Sequence, residues 1–144
     1  MDIDGIYTQI ITQNSRAKHN LRKVPNATHS LEGVNPTCGD ELLLEMRVEN
    51  GIIEDAGFTG NGCAIFMASS SIMIDNIIGK RLDDAKAVVD TFFKMIKREE
   101  LSAEEEELLD EALSLKGVAV MPSRVKCATL SWHTLEEEMK QEDN

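Results

Sequence analysis

Between residues 40 and 49 the chain reads DELLLEMRVE, with apolar and polar positions in alternation. Leu42, Leu44, Met46 and Val48 fall on one side of an extended segment. Glu41, Glu45, Arg47 and Glu49 fall on the other, and Leu43 is the exception. A period of two predicts a half-buried strand. Glu49-Asn50-Gly51 then predicts a hairpin turn, because Asn-Gly accepts the positive φ angles such turns need. Residues 52–59 return as the partner strand. Ahead of this hairpin, Ile3, Ile6, Tyr7, Ile10 and Ile11 recur at helical spacing and predict a helix over 2–19. Residues 20–37 read as a loop broken by Pro25, Asn26, Gly33 and Pro36, with room for a short strand around 28–32.

The second half changes period. From about Cys63 to Gly79, Ile65, Phe66, Ala68, Ile72, Met73 and Ile77 surround a helix on most sides, the pattern of a buried central helix. Leu82, Ala85, Val89, Phe92 and Ile96 give an amphipathic helix over 82–98. Ser102 with Glu105 forms a capping-box pattern that opens a helix near 103–114. Gly117 and Pro122 break the chain. A last helix, 125–139, carries Ala128, Trp132, Leu135 and Met139 on one face. Sheet early and helices late predict an α+β fold, a small antiparallel sheet packed against helices.

The 144 residues form one expected domain, 1–144, long enough to hold a core without disulfide staples. Hydrophobic content of 42% and charged content of 28% fit a soluble globular chain, and no apolar run reaches bilayer length. The acidic start, without a basic n-region, predicts a cytoplasmic protein. A net charge of −11 argues against nucleic acid, whose phosphates need clustered Lys and Arg. Much of that charge sits in Glu99–Glu111, which carries eight acids and no base. It reads as a solvated helix face, or as a docking surface for a basic partner.

Three cysteines are an odd number for a disulfide framework. Cys38 lies in a loop two residues before Asp40, at the point where a strand begins. Residues i and i+2 of a strand face the same way, so thiol and carboxylate can converge. Cys63 follows Gly60-Asn61-Gly62 at a helix start, where backbone N–H groups favour a thiolate. The stretch also has a faint likeness to a nucleophile elbow, but His19, His29 and His133 show no spacing that pairs one of them with it. Cys127 lies in the first turns of the last helix, beside Arg124 and Lys126. Three thiols and one carboxylate suit a tetrahedral zinc ion, and soft thiolates also suit iron–sulfur clusters. No Cys-x-x-C pair is present, and cysteine is also common as a plain buried residue. On the residues alone, a metal site and structural cysteines stand as equal readings.

The stretches NPTCGD (35–40), GFTGNGCAI (57–65) with the following ASSSIM (68–73), and RVKCATLSW (124–132) resemble the SufU/IscU family of iron–sulfur cluster assembly proteins. The resemblance runs from the first helix to about Met139. It implies a SufU/IscU-like fold with the cysteines and the aspartate gathered at one end. It implies Cys38, Asp40, Cys63 and Cys127 as metal ligands, a cysteine desulfurase of the SufS type as partner, and downstream iron–sulfur scaffold components as further partners. Within the family, one branch is a scaffold on which a [2Fe–2S] cluster is built, and the other binds zinc and accepts persulfide sulfur. The scaffold branch has a histidine before the third cysteine, where this chain has Lys126. It also has a Leu-Pro-Pro-Val-Lys stretch upstream, where this chain has Met121, Pro122, Ser123, Arg124 and Val125. The 63 residues between Cys63 and Cys127 exceed the scaffold spacing. The implied reading is a zinc-dependent sulfurtransferase with Cys38 as sulfur acceptor and Arg124 supporting it by pairing with Asp40 or with the freed thiolate. The alternative is a [2Fe–2S] scaffold.

Overall fold

A computed structural model describes residues 3–142, with the side chain of Glu142 not described. The order is α1 (Ile3–Arg16), β1 (His29–Asn35), β2 (Asp40–Glu49), β3 (Ile52–Asn61), α2 (Ala64–Ile77), α3 (Leu82–Ile96), α4 (Ala103–Leu109), a 3-10 segment (Asp110–Val120) and α5 (Pro122–Glu142). Position 2 of the expected first helix lies outside the described residues. The three strands form one antiparallel sheet in the order β1-β2-β3.

The alternation in β2 builds the sheet as read. Leu42, Leu44, Met46 and Val48 are all buried, and the opposite positions are exposed or half-buried. Phe58 pairs with Leu44, Ala56 with Met46 and Ile53 with Val48, which extends the same apolar face across β3. Asn50 and Gly51, at φ 55° and 77°, make the tight turn between them. β1 runs over His29–Asn35, longer and later than the expected 28–32. The segment Asn20–Arg22 lies along the outer edge of β3. There Phe58 donates its N–H to the Asn20 carbonyl, and Arg22 donates back to the Phe58 carbonyl. That occupies an edge that would otherwise expose unpaired backbone groups.

The helices cover the apolar face. α2 is buried through most of its length, including Ser69, Ser70 and Ser71. α5 lies against it, and fully buried Trp132 stacks on Phe92 of α3 at 4.0 Å between ring centroids and 6° between planes. The Trp132 indole N–H donates to Ser69 Oγ at 2.9 Å, and Ser69 donates to the Ala128 carbonyl at 2.6 Å. This pair of bonds satisfies polar groups that would be costly unpaired in the core.

Helix boundaries and one burial pattern differ from the sequence reading. α4 has its capping box, with Glu105 N–H donating to Ser102 Oγ at 3.1 Å and Ser102 N–H to Glu105 Oε1 at 2.9 Å. It nevertheless ends at Leu109, because Asp110 takes φ 51° and ψ −125° and interrupts the helical path. An 11-residue 3-10 segment follows, long for that geometry. α5 begins at Pro122, three residues before the expected start. Proline suits a first helical position, where its missing N–H costs nothing. Finally, α1 ends at Arg16, short of the expected 19, and of its residues only Asn14 is buried, while Ile3 and Ile6 stay exposed.

Candidate metal centre

Three of the four candidate ligands converge at the end of the sheet where β2 begins. Cys38 sits in the tight connection between β1 and β2, whose backbone is closed by N–H donations from Cys38 and Gly39 to the Asn35 carbonyl. Asp40 is the first residue of β2 and is fully buried. Cys127 lies in the second turn of α5, at 2% exposure. The Cys38 sulfur, a carboxylate oxygen of Asp40 and the Cys127 sulfur lie within 4.8 Å of one another. Cys38 itself is exposed, so the cluster has one face open to solvent and one closed.

Cys63 arrives from the side. It caps α2, with an extended backbone (φ −69°, ψ 167°) and its sulfur accepting from the Phe66 N–H at 3.5 Å. Its backbone N–H donates to Asp40 Oδ1 at 3.0 Å, which ties the α2 start to the β2 start. Its thiol also lies against that of Cys127. The glycines beside it explain how the elements come so close. A Cβ on Gly62 would lie 2.3 Å from Asp40 Oδ1 and 2.6 Å from the Phe66 ring. Gly60, at φ +145°, presses its α-carbon against the Glu41–Leu42 backbone of the neighbouring strand. The two glycines therefore make room for Asp40 and for β2.

The electrostatics are those of a site built for a cation. Burial pushes the Cys127 thiol pKa well up, and contact with the Cys63 thiol, the Cys38 thiol and the Asp40 carboxyl pushes it further. Acids packed this tightly ionise together only when positive charge shares the space. Asp40 Oδ2 is buried with no hydrogen-bond partner among the described residues, an arrangement that needs an explanation such as an ion. Soft thiolates with one carboxylate are a donor set that suits zinc. The residues present therefore fit the ion.

Arg124 is exposed and makes no ion pair with Asp40 among the described residues. The bonds linking Ser69, Ala128 and Trp132 just beneath Cys127 were missed in the sequence reading. Their signal was present as three serines inside an otherwise apolar helix.

Residues 7–128 match the model of the NifU-like N terminal domain. A Streptococcus pyogenes serotype M1 protein named iron-sulfur cluster assembly scaffold protein IscU is 38% identical over 142 residues, 99% of this chain and 87% of that protein. A Bacillus subtilis protein named zinc-dependent sulfurtransferase SufU is 37% identical over 142 residues, 99% of this chain and 95% of its own length. The crystal structure of a putative iron-sulfur cluster assembly scaffold protein for the SUF system, from Fervidobacterium islandicum, superposes with a TM-score of 0.87. It is 35% identical and covers 96% of this chain and 99% of its own. The expected SufU/IscU-like α+β fold is thereby borne out, and the chain belongs to the NifU-like N-terminal domain family, alongside proteins named IscU and SufU.

Proposed function

We propose that the protein is a zinc-dependent sulfurtransferase that accepts persulfide sulfur from a cysteine desulfurase for iron–sulfur cluster assembly. The observation that carries this reading is the convergence of exposed Cys38 with buried Asp40 and Cys127 within 4.8 Å. Cys38, Asp40, Cys63 and Cys127 would hold the zinc. When bound, zinc supplies positive charge that keeps thiols deprotonated and brings no redox chemistry of its own.

The chain's own residues then divide the work by position. Cys38 is the exposed member, on a loop, and is the thiol that a docked partner can reach. Its thiolate attacks the outer sulfur of the desulfurase persulfide. A new sulfur–sulfur bond forms on Cys38, the partner's own sulfur–sulfur bond breaks, and the partner leaves as a thiolate. Cys127 and Asp40 are buried and hold the floor of the site. Arg124, exposed three residues before Cys127, would pair with the Cys38 thiolate once it is free.

Relatives of both names match this chain over nearly its full length, so the choice of branch rests on the residues. Lys126 before the third cysteine, Met121–Val125 in place of the proline-rich stretch, and the long spacing between Cys63 and Cys127 all favour sulfur transfer. Incubation with a cysteine desulfurase and cysteine, followed by alkylation and mass spectrometry, tests the proposal. A persulfide on Cys38, absent in Cys38→Ser, with one zinc per chain in the isolated protein, is the expected result. The second reading, a [2Fe–2S] scaffold, draws support from the relatives named IscU. A protein that isolates brown, with iron and sulfide in place of zinc, would establish that reading instead.

A further inference from the structure

A groove of about 410 Å³ opens between α1 and the 3-10 segment. Its walls are largely apolar, with Ile11, Ile65, Val118 and Met121 among them. Asn14 Nδ2 donates to Glu111 Oε1 at 3.0 Å and holds the two walls together. The apolar surface continues past the groove, because Ile3, 59% exposed, stands on the helix face of Tyr7 and Ile11. Ser114 lines the groove, is 3% exposed, and its Oγ has no hydrogen-bond partner among the described residues. A buried hydroxyl without a partner is unusual, and a ligand's polar group would satisfy it.

The mouth is acidic. Asp4 borders the groove. The Tyr7 hydroxyl is pushed up by burial first and then by the nearby charges of Glu106 and Asp4. Glu104, Glu106, Glu107 and Asp110 follow along α4 and into the 3-10 segment, while Glu105 pairs with Lys94 of α3 and Glu111 accepts from Asn14. Such a field selects positively charged occupants.

We propose that this groove binds a short segment of a partner protein in which apolar anchor side chains are flanked by lysine or arginine. The anchors fill the apolar walls, the segment's backbone satisfies Ser114, and its cations face Asp4 and Glu106. None of Cys38, Asp40, Cys63 and Cys127 lines this groove, so an occupant would cover none of the candidate ligands.

The test uses the full chain with three defined probes: acetyl-GKKLLKKG-amide, acetyl-GEELLEEG-amide and acetyl-GKKSSKKG-amide. Amide chemical shifts of Ile11, Ile65, Val118 and Met121 are the readout. The Leu–Lys peptide should move these amides saturably, and the other two should bind at least about tenfold more weakly. A Cβ on Gly117, which also lines the groove, would meet nothing within 4 Å, so Gly117→Phe should be accepted at its Cβ and narrow the groove. It should weaken the Leu–Lys peptide at least about tenfold. Thr8→Lys, which adds a charge at an exposed rim position, should weaken it several-fold in a folded protein. Equal binding of the Ser–Lys peptide would mean attraction by charge alone and would overturn the proposal. So would the absence of shifts at these amides, indifference to both variants, or the same shifts appearing with rising protein concentration and no peptide, the mark of a second copy.

Discussion

Among the described residues two carboxyl groups are fully buried, and they make opposite settlements with the interior. Asp40 lies among thiols at the mouth of the sheet, with one oxygen taking the Cys63 N–H and the other left open. Glu138 lies three turns beyond Cys127 on α5, and neither of its oxygens has a hydrogen-bond partner among the described residues. Burial, and secondarily the charge of Glu45, pushes Glu138 up to about 8. One carboxylate stands where a cation can join it, and the other escapes its charge by keeping a proton. Position, and not residue type, decides whether a buried acid serves as a ligand or is a liability.

The largest effect should come from withdrawing the cation. If zinc is bound at about a thousandfold over its Kd, it contributes on the order of 4 kcal/mol. Chelation should then lower the melting temperature by roughly 10 °C. An unchanged melting curve would place Asp40 beside Glu138, as an uncompensated acid.

Next comes Glu138→Met. The folded chain holds this proton more tightly than the unfolded chain, in which the usual value is 4.5. Stability should therefore fall as pH rises from about 4.5 through about 8, with the full penalty above that. The variant should gain about 3 kcal/mol at pH 8.5 and almost nothing at pH 4.5. Denaturant melts at both pH values check the sign.

Asp40→Ala should behave differently. Zinc affinity should drop at least about 100-fold, or roughly 2.7 kcal/mol by competition with a metal indicator. The metal-free variant should unfold much like the metal-free parent, losing mainly the bond from Cys63. The smallest effect is expected from Gly62→Ala. Its new methyl would displace Asp40 by the overlap described above and weaken zinc about tenfold with the fold retained.

Much of this architecture is written in local patterns. The Leu42–Val48 alternation, the Asn50-Gly51 turn and the Ser102–Glu105 cap each involve neighbours in sequence, and each appears where its residues place it. The α4 break at Asp110 has no such signature, because a single positive φ there is set by how the 3-10 segment packs. The stripe of α1 is legible only in part. Periodicity announces an apolar face but not whether this chain supplies its cover, and Ile3 and Ile6 remain open. For the thiols, Cys38 and Asp40 can be paired from their spacing. The approach of Cys63 and Cys127 depends on α2 and α5 meeting the sheet, which neither motif encodes alone. Only the resemblance across all three stretches predicted that meeting.

The lone tryptophan of the chain, Trp132, lies flat on Phe92 and reaches Ser69, whose hydroxyl grips the carbonyl next to Cys127. The molecule thus carries its own optical gauge one helical turn from its chemistry. An event at the thiols that shifts the last helix against its neighbours would alter that indole's emission, so addition of a metal ion or of a persulfide donor can be tested in real time without a label.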